Sequence, residues 1–337
     1  MGSSLRSSKR SRGDGWLAKH AHTAGLIYSA CRSLLFVALH TRTGVKAFLG
    51  VVLAIEGRPR RKWMKSMDPL SATQRANIEF HTLLAPQYEQ QPFFLEMNRQ
   101  RVRAQLCELA KDTSCEHLLD IGCGTGLILD LAHDLFKELD GIDITSEMLA
   151  RVKQRANVRT QLASAENIPF PDKTFDAVTA YSVLHHIEDL GPVFREVRRT
   201  LKPGGFFYAD ESPSEHYLDA FLALDPRYPT TDAVRRERER ITSDAAQYQR
   251  QYGLPIDVVR QAMVQNFSRH SMKQENLERL LRSSGFDTVQ ITFRRFAGED
   301  QCREKGGEEL VNALYNYLVS MLPLTRDLFK YFVLVAR

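Results

Sequence analysis

From residue 78 onward the chain alternates short apolar runs with stretches whose apolar residues recur every three to four positions, and each period predicts a different element. The short runs at 117–121, 139–143, 159–163, 175–180 and 204–210 read as strands, with helices expected over 126–136, 146–154 and 190–200. Such alternation predicts an α/β domain in which helices cover both faces of one sheet. Residues 83–109 also read as helical, with interruptions at Pro86 and Pro92. Near the end, Gly285 is placed to close a helix starting near Ser271, where Gln274 would complete a capping box. Strands over 286–295 and 329–336 would complete the sheet.

Two additions interrupt the alternation. Residues 212–270 open with Tyr217, Leu218, Phe221, Leu222 and Leu224, an apolar face suited to roofing a pocket, and continue into a highly charged helix over 234–251. Residues 297–328 are unusually apolar over 310–324 and contain Tyr315 and Tyr317. Both additions fit the wall of a pocket for an apolar molecule, and equally core packing or a homodimer interface.

The first 65 residues stand apart from this domain, which is expected to fill 66–337. They carry 13 Lys and Arg against Asp14 and Glu56, a net +11, so the remainder of a chain of net +5 carries −6. The basicity therefore belongs to the leader, and the body gives no reason to expect a nucleic-acid groove. Two apolar stretches in the leader, 24–39 and 45–55, are short for a bilayer span, and the first contains Arg32. An Arg- and Ser-rich, acid-poor leader fits organelle targeting, peripheral membrane contact, or a solvated extension with a helix or two. The expected location is the cytoplasm or an organelle. The five cysteines lack CxxC spacing, which favours free thiols in a reducing compartment and implies no metal site.

The strongest chemical signal is the run Leu118-Leu-Asp120-Ile-Gly122-Cys123-Gly124-Thr-Gly126. A strand that ends in glycines at alternate positions, opening onto a helix, lets backbone approach a nucleoside closely beside free helical N–H groups. Asp120 can hold this loop in shape or accept from a ligand ammonium. Asp143 falls at the tip of the second strand, where a carboxylate can take both hydroxyls of a ribose. It can also cap the helix behind it, although Thr145 and Ser146 look better placed for that. The loop is shorter than the G-x-G-x-x-G of dinucleotide sites, which favours a ligand with no pyrophosphate to cradle.

Residues 117–210 resemble the class I S-adenosylmethionine-dependent methyltransferases, in particular the group with the ubiquinone and menaquinone C-methyltransferases. The resemblance implies a Rossmann-like sheet of seven mostly parallel strands with the last antiparallel, and S-adenosyl-L-methionine as cofactor. It extends through Gly141-Ile-Asp143-Ile144-Thr-Ser-Glu-Met148, where the acid would bind the ribose, and Ala163-Ser164-Ala165-Glu166, which would line the adenine. Phe175 to Ile187, with Tyr181, His185 and His186, is similar to the fourth strand and the floor of the transfer site, and Leu201-Lys-Pro-Gly-Gly205 to the turn into the fifth strand. Ser164 stands where many relatives have an aspartate that accepts from the adenine amino group; a neutral, shorter serine would weaken that bond. Tyr88, in a segment similar to one that laps over the cofactor, would close the methionine end or pack at a helix edge.

Methyl transfer needs a base only when the acceptor arrives protonated. His186 and His185 are the nearest candidates, either as proton carriers or as a packed wall. Glu211, after the fifth strand, would orient a polar acceptor or form a salt bridge; Asp210 is a weaker candidate. The expected acceptor is a small, apolar, lipid-like or quinone-like molecule methylated at carbon or oxygen. The rival readings are methylation of RNA or protein, and a non-catalytic scaffold that kept the fold.

Overall fold

The computed structural model describes residues 70–337 apart from 226, 228, 229 and 265–271. The basic 1–65 extension and Ser271 lie outside the described residues.

Strands β1 (His117–Ile121), β2 (Glu138–Asp143), β3 (Val158–Leu162), β4 (Phe175–Tyr181), β5 (Leu201–Pro213), β6 (Val289–Phe296) and β7 (Phe329–Ala336) form one sheet in the order β3-β2-β1-β4-β5-β7-β6. Only β7 runs antiparallel to its neighbours. Successive strand residues point to opposite faces, and both faces are covered. Leu119, Val178, Phe207 and Ala209 enter one core, while Leu118, Ala177, Phe206 and Tyr208 enter the other. This is why the central strands carry no polar alternation. The Rossmann-like seven-stranded architecture expected from the sequence is present.

The strand order reverses between β1 and β4, and loops following the parallel strands gather at their carboxyl ends there. Such a reversal leaves a crevice because neighbouring connections depart to opposite faces. At the other end of the sheet, the buried Asp176 carboxylate accepts from Ser114 Oγ, the His117 amide and Lys202 Nζ, which ties β1, β4 and β5 together away from the crevice.

Before the sheet come α1 (Ala72–Leu84) and α2 (Glu96–Ala110), joined by 3-10 turns at Ala85–Gln90 and Pro92–Phe94. The interruptions expected at Pro86 and Pro92 are therefore present. Helix α1 starts with a full capping box between Ser71 and Gln74. Several expected helices are shorter than their periodicity suggested. Gly126 caps α3 (Leu127–Ala132) from the left-handed region instead of being its first residue, and α4 spans only Ser146–Leu149. In each case the chain turns early to bury an apolar side chain, Phe136 after α3 and Val152 after α4. Helix α5 (Leu190–Thr200) has the expected bounds.

The first addition folds as α6 (Glu215–Ala223), α7 (Asp232–Tyr252) and α8 (Ile256–Ala262). Tyr217 and Phe221 are buried with their rings tilted against each other at 4.7 Å, and neither lines the spaces described below, so at these two residues the core-packing alternative is the one realised. Helix α7 is charged as expected but not wholly solvated. Its Glu237 is buried, bonding Lys330 Nζ at 2.7 Å and Tyr217 Oη at 2.7 Å. The capping box expected at Ser271 falls on a residue outside those described. Helix α9 spans Gln274–Ser283 with Lys273 at its N-cap, and just before it the Met272 amide donates to Glu215 Oε2 at 3.0 Å. The second addition is α10 (Glu299–Ser320), kinked at Gly306 and Gly307.

Candidate active site

The loop after β1 owes its path to glycine. Gly122 has φ +63°, and a Cβ there would lie 2.3 Å from Cγ2 of Val183, so any side chain would be both strained and blocked. Asp143, at the end of β2, then locks the loop in place: its Oδ2 accepts from the Gly124 amide at 2.9 Å and its Oδ1 from the Thr145 amide at 2.8 Å. Asp143 therefore makes the cap-like bond that Thr145 and Ser146 were expected to make, and neither of those side chains caps α4.

These elements surround a cleft of about 750 Å³, the solvent at its open mouth included, at the reversal point. Its lining contains Gly122, Gly124, Asp143, Ile144, Ser164, Ala165, Glu166, Tyr88 and His186, so the structure brings together most of the residues singled out from the sequence. A smaller space of about 270 Å³ continues behind the loop, walled by Asp120, Cys123, Tyr181 and again Tyr88 and Gly122. Tyr88 reaches both spaces and closes over Gly124, 3.5 Å from where a Cβ would stand. Gly126 and Met148 line neither; the first caps α3, and the second is fully buried under the loops.

Ser164 is occupied within its own turn. Its Oγ accepts from the Glu166 amide at 3.2 Å and donates to Glu166 Oε2 at 3.3 Å, while Gln74 holds the same carboxylate oxygen at 2.6 Å. A Glu166–Gln74 clasp from the loop after β3 to α1 was not foreseen.

Asp120 is buried and receives the Thr179 hydroxyl at 2.7 Å. Burial raises its carboxyl to about 7, with the Thr179 bond opposing and Asp143 adding to the rise. The Cys123 thiol is pushed well above its ordinary range by burial, so it stays neutral; all four cysteines among the described residues are free.

His185 and His186 sit in a 3-10 turn after β4, with rings 4.1 Å apart, and His81 of α1 lies 4.7 Å from His186. His186 donates through Nδ1 to the Ala262 carbonyl at 2.9 Å, which leaves Nε2 as an acceptor. Burial depresses all three, His185 to about 3. His185 lines neither of the two spaces beside the glycine loop. Side chains of such low basicity form a neutral hydrogen-bonding wall and carry protons poorly at neutral pH.

Glu211 lies apart from both spaces, ion-paired with Arg294 beside a third, larger cavity. The salt-bridge alternative is thus the one its geometry realises.

The polar face of α1, with Gln74, Asn77 and His81, was missed in the sequence. Its signal was legible: these positions share a helical face that adjoins the face of the buried Ala76, Phe80 and Leu84. Two buried polar atoms at these cavities, Asn77 Oδ1 and Thr125 Oγ1, have no hydrogen-bond partner among the described residues. Buried polar groups are ordinarily paired, so a polar ligand fits here. An adenine would lie by Ile144 and Ala165, a ribose at Asp143, and a charged amino-acid tail toward Asp120.

Comparison with known proteins agrees. Residues 119–209 match the methyltransferase domain family. Over 169 residues the chain is 33% identical to YcgJ, an uncharacterized methyltransferase of Bacillus subtilis, which spans 44% of this chain and 66% of that protein. It is 31% identical over 152 residues to demethylmenaquinone methyltransferase of Tropheryma whipplei, 44% of this chain and 62% of the other. Sterol 4-C-methyltransferase strm-1 of Caenorhabditis elegans is 32% identical over 155 residues, 41% and 45% of the two chains. The chain thus spans less than two thirds of the length of these curated relatives. The sheet order, the glycine loop, the acid after β2 and the matched family together show that this chain carries a class I S-adenosylmethionine-dependent methyltransferase domain.

Proposed function

We propose that the protein transfers a methyl group from S-adenosylmethionine to carbon or oxygen of a small, apolar acceptor. The observation that carries this reading is the pair of linked spaces on either side of the glycine loop, one holding Asp143 and the residues after β3, the other ending at Asp120. When bound, the cofactor supplies a methyl group on a positively charged sulfur, which departs as a neutral thioether with the electron pair of the broken bond.

The chain has the remaining tasks of holding, orienting and drying the site. Asp143 would hold the ribose while it pins Gly124, and Ile144 and Ala165 would flank the base. Tyr88 would close the site from above. Its hydroxyl stays protonated, since burial raises it beyond its ordinary range. His81 and His186 would accept hydrogen bonds through Nε2 without titrating near neutrality.

The names of two relatives, a demethylmenaquinone methyltransferase and a sterol 4-C-methyltransferase, support an apolar acceptor. Calorimetric titration with S-adenosylmethionine, S-adenosylhomocysteine and NAD tests the proposal. Micromolar binding of the first two without NAD is expected. A folded protein that ignores both would turn the reading toward a scaffold.

A further inference from the structure

The cleft beside the glycine loop is lined by three carboxylates, Asp143, Glu166 and Glu188, and by no lysine or arginine among the described residues. Its ligand must therefore bring hydrogen-bond donors. Asp143 already accepts from the Gly124 and Thr145 amides, and Glu188 takes the Thr73 hydroxyl at 3.0 Å. Glu166 is built into a longer network, which starts outside the sheet.

That network begins at the capping box of α1. Gln74 Oε1 accepts from the Ser71 amide at 3.0 Å, so the side chain is anchored by the helix's own N-terminus. Gln74 Nε2 then donates to Glu166 Oε2 at 2.6 Å, 92 positions along the chain. The same oxygen receives the Ser164 hydroxyl at 3.3 Å, while Ser164 Oγ accepts from the Glu166 amide at 3.2 Å. Ser164 has thus committed its single proton and a lone pair within its own turn. Glu166 keeps capacity to accept, because its Oε1 has no hydrogen-bond partner among the described residues.

These bonds decide which residue can read a purine. An adenine lying by Ile144 and Ala165 presents a 6-amino group that needs an acceptor beside Ala165. Both residues flanking Ala165 line the cleft. A serine hydroxyl already shared is a weak acceptor, whereas a carboxylate makes the stronger bond to an N–H donor. The Glu166 carboxylate also folds back against Ser164 Oγ, which brings a negative charge to the place where the serine supplies none. Resting on the methyltransferase reading above, we propose that Glu166, and not Ser164, accepts the adenine 6-amino group, and that Gln74 is the positioning residue that aims it. The first turn of α1 thereby takes part in selecting the purine.

The test is calorimetry on the full chain with S-adenosylhomocysteine and with its 6-deamino analogue, in which the amino group is replaced by hydrogen and the ring nitrogens stay. The unaltered protein should bind S-adenosylhomocysteine at least tenfold more tightly than the analogue. Glu166→Ala should bring that ratio below threefold while the analogue's own affinity moves less than threefold, which also shows that the variant is folded. Glu166→Gln, close in shape but uncharged, should lower the ratio at least threefold, and Ser164→Ala less than twofold. Gln74→Glu keeps an oxygen for the Ser71 amide and loses the donor to Glu166, so α1 stays capped. The ratio should then fall at least threefold with the analogue's affinity unchanged. A ratio below threefold in the unaltered protein, or one that survives Glu166→Ala, would overturn the proposal. So would a loss in Ser164→Ala as large as that in Glu166→Ala, and an unchanged ratio in Gln74→Glu would remove the positioning role. Failure of S-adenosylhomocysteine to bind at all would remove the methyltransferase reading and this proposal with it. Binding without preference for the amino group would remove this proposal alone.

Discussion

Asp143 has two tasks, because the carboxylate that would receive a ribose already holds the Gly124 and Thr145 amides. Asp143→Ala should therefore weaken S-adenosylhomocysteine binding more than tenfold, through the lost ligand contact and a loosened loop together. An unchanged dissociation constant would remove the assignment. At Asp120 the prediction concerns pH. Its folded carboxyl titrates near 7, whereas an unfolded aspartate titrates near ~4. The native state thus keeps a proton that the unfolded chain sheds, and this group lowers stability as pH rises from about 4 to about 7, then has no further effect. A cationic ligand tail prefers the ionised form. S-adenosylhomocysteine affinity should accordingly rise between pH 6 and 8, severalfold, and Asp120→Asn should flatten that profile. A pH slope that survives the substitution would assign it to another group.

Among the elements, α7 is tied to the sheet by a buried pair, beside the apolar contacts of Ala245, Tyr248 and Tyr252 at its other end. Lys330 of β7 and Glu237 are both nearly inaccessible and 2.7 Å apart, with the Tyr217 hydroxyl and the Gly298 amide completing the carboxylate's bonds. Lys330→Met leaves that carboxylate only the half-exposed Arg240, 3.6 Å away, as counter-charge. The loss should cost about 2–4 kcal/mol in urea unfolding, towards the lower end of what breaking a buried pair costs. Adding Glu237→Gln should recover much of the loss. If the single variant loses under 1 kcal/mol, the pair does not hold the helix. The charge run around this pair reads in the sequence as an ordinary solvated helix face. The burial of Glu237 became identifiable only when β7, 93 positions away, was laid against it. Helix α1 is the opposite case. Its polar stripe and its Ser71–Gln74 capping box went unremarked in the sequence, yet both are local patterns that need no tertiary partner to be recognised.

At the scale of the whole molecule, the sheet and the cofactor face are separable from the leader in sequence, and deletion of residues 1–65 should leave S-adenosylhomocysteine affinity within twofold. A folded truncated protein that no longer binds would show that the leader completes the site. The strands, the glycine loop and Asp143 were legible in the sequence because each depends on neighbours within one strand–loop–helix unit. There, a φ preference, an apolar period or a carboxylate after a strand carries its meaning locally. Helix lengths were less legible, since burial of Phe136 and Val152 ended α3 and α4 ahead of their apolar patterns. The third cavity was legible only in its wall, where Val311 and Tyr315 of the second addition line it as one of the expected alternatives had them; its floor was not legible. Its floor joins Arg101, Asp210, Glu211 and Arg294, which come from one helix and two strands that are not adjacent in the sheet. The sequence by itself determined the fold and the cofactor face, because those follow from short-range periodicity and backbone geometry. Only the tertiary structure decided which charges meet at the third cavity and which histidines stay neutral, because pairing and desolvation depend on groups that the chain separates and the sheet brings together.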